Sequence, residues 1–160
     1  MAIIVEDGTG VPGANSYVSV AQLESYAADR GIEIVGNPEV LLIKAMDYIE
    51  TISYCGHKAS GIQPLQWPRY GVFVDGFYLG ATVIPVNLKQ AQMQTALSID
   101  AGIDPSSTLP REIKSATVGP VSVTYTDGSA TEIIRSVNSQ LQKLICNYNA
   151  VTEFKVFRGS

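Results

Sequence analysis

The sequence predicts a mostly α, α+β fold: a bundle of about four helices carrying small β-hairpins and ending in an extended C-terminal tail. Three observations predict it. Apolar residues recur at helical spacing near both ends of the chain, glycine-centred turns split short apolar arms, and a last apolar run follows the final helix. With 160 residues, one domain is expected over 1–148, followed by a docking tail over 149–160.

Ile3, Ile4 and Val5 read as a short strand that gives way to a loop carrying Gly8, Gly10, Pro12 and Gly13. Ser19 and Gln22 make a capping box, so a helix starts there and runs to about Arg30, where Gly31 supplies the left-handed stop. Val20, Leu23 and Ala27 form its buried stripe, with Tyr26 beside it. Asn37 and Pro38 start a second helix, Asn as cap and Pro in the first turn. Leu41, Ala45, Tyr48, Ile49 and Ile52 give it one apolar face, which Leu42, Ile43 and Met46 widen. So broad a face implies contact on two sides.

Gln63 to Val72 is the run around which the rest is organised. Pro64 and Pro68 each remove a backbone donor, which rules out a helix interior or a central strand and leaves an extended crossing segment. Trp67, the only tryptophan, is expected to pin it to the core. Arg69 offers a planar fork suited to carboxylates or carbonyl-rich helix ends. Trp67, Pro68 and Arg69 are therefore a structural signature.

Next, Val72–Val74 and Phe77–Leu79 flank Asp75-Gly76, a two-residue hairpin signal, with an exposed loop as the other option. Pro85 precedes a third helix over 86–101, whose apolar pattern is interrupted by Gln90, Gln92 and Gln94 and which reads as an ordinary surface helix. Ile113–Val118 and Val121–Thr126 meet at Gly119-Pro120 as a second hairpin. A last helix, about Thr131 to Tyr148, repeats Ile134, Val137, Leu141, Leu144 and Tyr148 at helix-pairing spacing.

Composition narrows the function classes. Charged residues make 16% of the chain, against roughly 25% in soluble domains generally, so part of the surface is a candidate for partner cover. The net charge of −4 and the scattered basic residues argue against a dedicated nucleic-acid footprint. No signal-peptide pattern opens the chain and no apolar run reaches the roughly 20 residues that span a bilayer. A cytoplasm-like compartment is expected, with Cys55 and Cys146 reduced and no membrane partner.

Catalytic signals are lacking. Cys55 and His57 have neither the spacing nor the number of ligands for a nucleophile pair or a metal site. Asp100 and Asp104 flank a glycine turn without the further oxygens of a calcium loop. The Gly8–Gly13 run lacks the Lys-Ser/Thr of a phosphate loop. The reading is of a non-enzyme with no cofactor and no metal. Eight tyrosines could stack on a single strand, but most fall on apolar faces or in hairpins, where core roles are expected.

Three stretches carry a family resemblance. Gly13-Ala14-Asn15-Ser16-Tyr17-Val18-Ser19-Val20 with the helix to Arg30-Gly31 is the first. Leu65-Gln66-Trp67-Pro68-Arg69 with Gly71-Val72 and Ile84-Pro85 is the second. Val118-Gly119-Pro120-Val121-Ser122-Val123-Thr124-Tyr125, before a last helix and short tail, is the third. In this order they resemble the head-tail adaptors of tailed phages, a head-completion family also labelled DnaT-like single-stranded DNA-binding proteins. The resemblance implies a structural virion protein, made in the host bacterial cytoplasm and placed at the head-tail interface. It implies a homo-oligomeric ring, typically of twelve copies, beneath the portal protein. Such a ring extends the channel through which double-stranded DNA passes and carries tail, terminator or nozzle proteins. Portal docking then falls to the tail: Val151, Phe154, Lys155, Val156, Phe157 and Arg158. The residues agree, since an uncovered apolar-basic strand can add to a partner's sheet edge. Single-stranded DNA binding is the alternative function, and an enzyme built on Cys55 and His57 ranks last.

Overall fold

The computed structural model describes residues 2–105 and 136–146. Helix α1 spans Val20–Ala28, with Ser19 and Gln22 closing the capping box. It ends where Gly31 sits at φ +64° and the Gly31 and Ile32 amides return to Ala28 O and Ala27 O, both at 3.0 Å. Helix α2 spans Pro38–Ile49, and the Asn37 side chain accepts from the Glu39 and Val40 amides. Its broad apolar face does meet two neighbours. Leu41, Leu42 and Ala45 enter one buried cluster, whereas Met46 and Ile49 enter another.

Helix α3, Val86–Asp100, corrects an expectation. It is not a surface helix but the central one, with Leu88, Ala91, Gln92, Thr95 and Ala96 all fully or almost fully buried. Its interrupted pattern misleads because the polar interruptions are satisfied inside. Gln92 accepts from the Tyr17 amide (2.9 Å) and donates to Ser16 Oγ (2.7 Å), while Thr95 Oγ1 donates to Ala91 O. A buried amide with partners packs like an apolar residue and costs little.

The helical bundle is also corrected. Among the described residues, the mixed arrangement comprises these three helices, a helical run at 136–141 that tightens into a 3-10 turn at Gln142–Leu144, and two small antiparallel sheets. Strands β1 (His57–Lys58) and β2 (Arg69–Tyr70) form one sheet; β3 (Val72–Val74) and β4 (Phe77–Leu79) form the other. The physical reason is that the stretch between α2 and α3 supplies core as well as connection. Trp67, Tyr54, Leu65 and Val72 bury against Met46, Ile49, Leu88, Leu141 and Leu144. Helices therefore face irregular chain on this side as well as one another.

Smaller departures follow from local bonding. Ile3–Val5 forms no strand; Val5 makes a single parallel bridge to Ser16, and Asn15 Oδ1 takes the Ile4 amide. The last helix does not reach Tyr148, since Ile145 is already extended and bridged to Tyr54. Cys55 and Cys146 are not reduced thiols. They form a disulfide with Cα atoms 4.8 Å apart, well within bonding geometry. Sequence spacing hid this pair because the contact closes across 91 residues. The second hairpin, the start of the last helix and the tail lie outside the described residues. Among the described residues, no helix is long and apolar enough to cross a membrane.

Candidate nucleic-acid interface

The β3–β4 ribbon presents the most exposed aromatic group among the described residues. Asp75 and Gly76 both adopt positive φ (52° and 85°), the two-residue turn whose twist matches a hairpin. Register pairs Val72 with Leu79, Phe73 with Tyr78 and Val74 with Phe77. Alternation then divides the faces. Val72 is fully buried, and Val74 and Leu79 rest partly against the Trp67 cluster. Phe73 and Tyr78 stand on the other face, edge to face with centroids 5.5 Å apart, and are 64% and 57% exposed. Phe77 beside the turn is 78% exposed. Tyr70, at the end of β2, is also exposed and lies 5.5 Å from the His57 ring. Lys143 pairs with Asp75 at 2.8 Å in solvent, and Lys58 stands next to His57 on β1.

Beneath the ribbon is a rigid polar frame. Trp67 is wholly buried, edge-on to Tyr54 at 5.8 Å, and is joined to Pro68 by a cis peptide bond. Its amide donates to Tyr17 Oη, and the Tyr17 hydroxyl donates in turn to Glu50 Oε1. The Gln66 amide donates to the other Glu50 oxygen at 2.8 Å. Burial pushes the Tyr17 hydroxyl well above its ordinary pKa, and the Glu50 charge adds to this. Glu50 is also raised, because burial outweighs the Tyr17 and Gln66 hydrogen bonds. Arg69, nearly buried, donates to Cys55 O, Gln66 O, Gln66 Oε1, Tyr54 O and Gly56 O. Burial lowers its pKa, with Tyr17, Glu50 and Tyr54 opposing that shift. The fork that could have met carboxylates or a helix end meets loop carbonyls.

Trp67, Pro68 and Arg69 thus come together as the ribbon's footing. The tail residues Val151, Phe154, Lys155, Val156, Phe157 and Arg158 lie outside the described residues. Cys55 is spent in the disulfide, and His57 contacts an aromatic ring in place of a thiolate. Asp100 takes the Val35 and Gly36 amides, holding the link between α1 and α2. The Gly8–Gly13 run does cradle an anion, but its own: buried Glu6 accepts from the Gly8, Gly10 and Val11 amides at 2.8–2.9 Å. Among the described residues, no three His, Cys, Asp or Glu side chains gather as a metal set.

Residue reasoning passed over Phe73 and Phe77 as functional candidates. The signal was present for Phe73, since three-residue arms around Asp75-Gly76 can bury only one face. The tyrosines divide accordingly. Tyr17 and Tyr54 are core, Tyr26 and Tyr48 half-buried, and Tyr70 and Tyr78 exposed.

A family model spanning residues 1–159 matches the sequence. The chain belongs to the DnaT-like ssDNA-binding protein family. No curated protein and no solved structure matches it. For this member of the DnaT-like family, the match carries the single-stranded DNA label and nothing about a head-tail adaptor.

Proposed function

We propose that the protein binds single-stranded DNA by stacking bases on the aromatic ribbon. The exposed pair Phe73–Tyr78 carries this reading, because bare aromatic faces on a short rigid ribbon suit bases of any sequence. Tyr70 is a further exposed ring at the end of β2, and Lys58 on β1 and Lys143, once released from Asp75, are the cations available for phosphates. The family label supports the same class of ligand. With a net charge of −4, stacking must supply most of the affinity. Two phosphate contacts would give a salt slope of only about −1.4. Fluorescence anisotropy with a labelled thymidine oligonucleotide tests this. Phe73→Ala and Tyr78→Ala should each weaken binding by about 1–3 kcal/mol, five- to 150-fold, while stability changes by about 0.5 kcal/mol or less, as for exposed positions generally. Unchanged affinity in both variants rejects the ribbon as the platform.

The resemblance to phage head-tail adaptors supplies a second reading, a portal-bound ring anchored by Val151 to Arg158. The low charged share, 16%, and the uncharged rings of Phe73 and Phe77 favour protein contact as well. A chain truncated after Ala150 should then fold but fail to join portal-containing heads; equal joining rejects the anchor.

A further inference from the structure

We propose that Cys55–Cys146 is a thiol-sensitive latch that holds the two residues after the 3-10 turn, Ile145 and Cys146, against the loop that follows α2. The two sides of the bond are held very differently. Cys55 is half-buried, and its flanking carbonyls are clamped by Arg69: Nε donates to Cys55 O at 2.7 Å, and Nη2 donates to Gly56 O at 2.7 Å and Tyr54 O at 3.3 Å. Cys146 is exposed and follows directly on the last deep anchors, Leu141 and Leu144, which are at most 1% exposed. Between Leu144 and the sulfur the described holds are few. The Cys55 amide donates to Leu144 O at 2.8 Å, the Ile145 amide donates to Gln142 O at 3.4 Å, Ile145 bridges to Tyr54 and packs half-buried, and the disulfide adds to these. Breaking the bond therefore loosens Ile145 and Cys146 while Leu141 and Leu144 keep their apolar contacts. Such a segment opens as a local unit, not with the whole domain.

The exchange needs a dithiol reductant. One reductant thiolate attacks the Sγ of Cys146, the more exposed residue, forming a mixed disulfide and expelling Cys55 as a thiolate, which takes a proton. The second reductant thiol closes on the first, releasing Cys146 as a thiol and leaving the reductant as a cyclic disulfide. Two electrons pass to the protein and two from the dithiol.

The test uses the full chain with dithiothreitol. Thiol titration of the denatured, unreduced protein should find no free thiol; two free thiols overturn the latch. Under native conditions the bond should then reduce with the far-ultraviolet helix signal retained. Amide exchange at Cys55 should accelerate at least tenfold, while the Tyr17 amide, bonded to Gln92, stays within twofold. A bond that reduces only on unfolding, or an unchanged Cys55 amide, overturns the proposal. Cys146→Ser should reproduce the reduced exchange pattern, and its failure to fold would make the bond a staple and overturn the latch equally.

Discussion

The two buried clusters among the described residues are built on different terms. Around Leu23, Leu42 and Ala96, the contacts come mostly from three helices whose apolar faces meet, with Val18, Ile3 and Ile34 from the adjoining segments. Around Trp67, the contacts come from α2, α3, the 3-10 turn and a stretch with little regular structure. Helices satisfy their own backbone, so the first cluster needs few side-chain hydrogen bonds. Irregular chain does not, and there Arg69, Glu50, Gln63 and Tyr17 take up the carbonyls and amides left over. Gln92 stands at the seam, on α3 but bonded to the segment before α1. A core of remote segments is thus as much a polar construction as an apolar one.

The sharpest way to break this contrast is Trp67→Ala. The cavity left in the Trp67 cluster should cost about 4 kcal/mol, read as a lower denaturant midpoint, with Arg69 losing the geometry of its fork. A loss below about 1 kcal/mol, as at exposed sites, would mean that the Trp67 cluster is not a structural unit. Gln92→Leu probes the seam. It keeps the volume but leaves the Tyr17 amide without its buried acceptor, and about 2 kcal/mol should be lost. A neutral or stabilising result would place the seam's stability in packing alone.

The smallest effect concerns pH. Tyr17 and Tyr54 both have pKa values raised above the ordinary 10, chiefly by burial and next by Glu50. Between the unfolded and the folded value the native state holds protons that the unfolded chain has released. Their contribution is therefore complete below pH 10 and falls as pH rises beyond it. Glu50, also raised, acts with the same sign from its ordinary 4.5 upward. Tyrosinate absorbance should show these two hydroxyls ionising only with unfolding.

Much of the helical half could be read directly. Ser19 with Gln22, Asn37 with Pro38, and Asp75 with Gly76 are local signals whose physics is complete within a few residues, and each has its expected geometry. The two-sided face of α2 was legible for the same reason. The bundle expectation failed at the stretch between α2 and α3, where one tryptophan and one arginine organise residues that no periodicity connects. The candidate site was half-legible. The hairpin was evident from its turn, whereas the exposure of Phe73 and Tyr78 depends on which face the Trp67 cluster covers.

Local pattern therefore dictated the caps, the turn and the apolar stripes, because those energies are settled between residues three or four apart. Tertiary structure alone decided that α3 is central, that Glu6 fills the glycine loop, and that Cys55 meets Cys146. Each of these is a contact between distant segments, and its free energy depends on what else those segments bury.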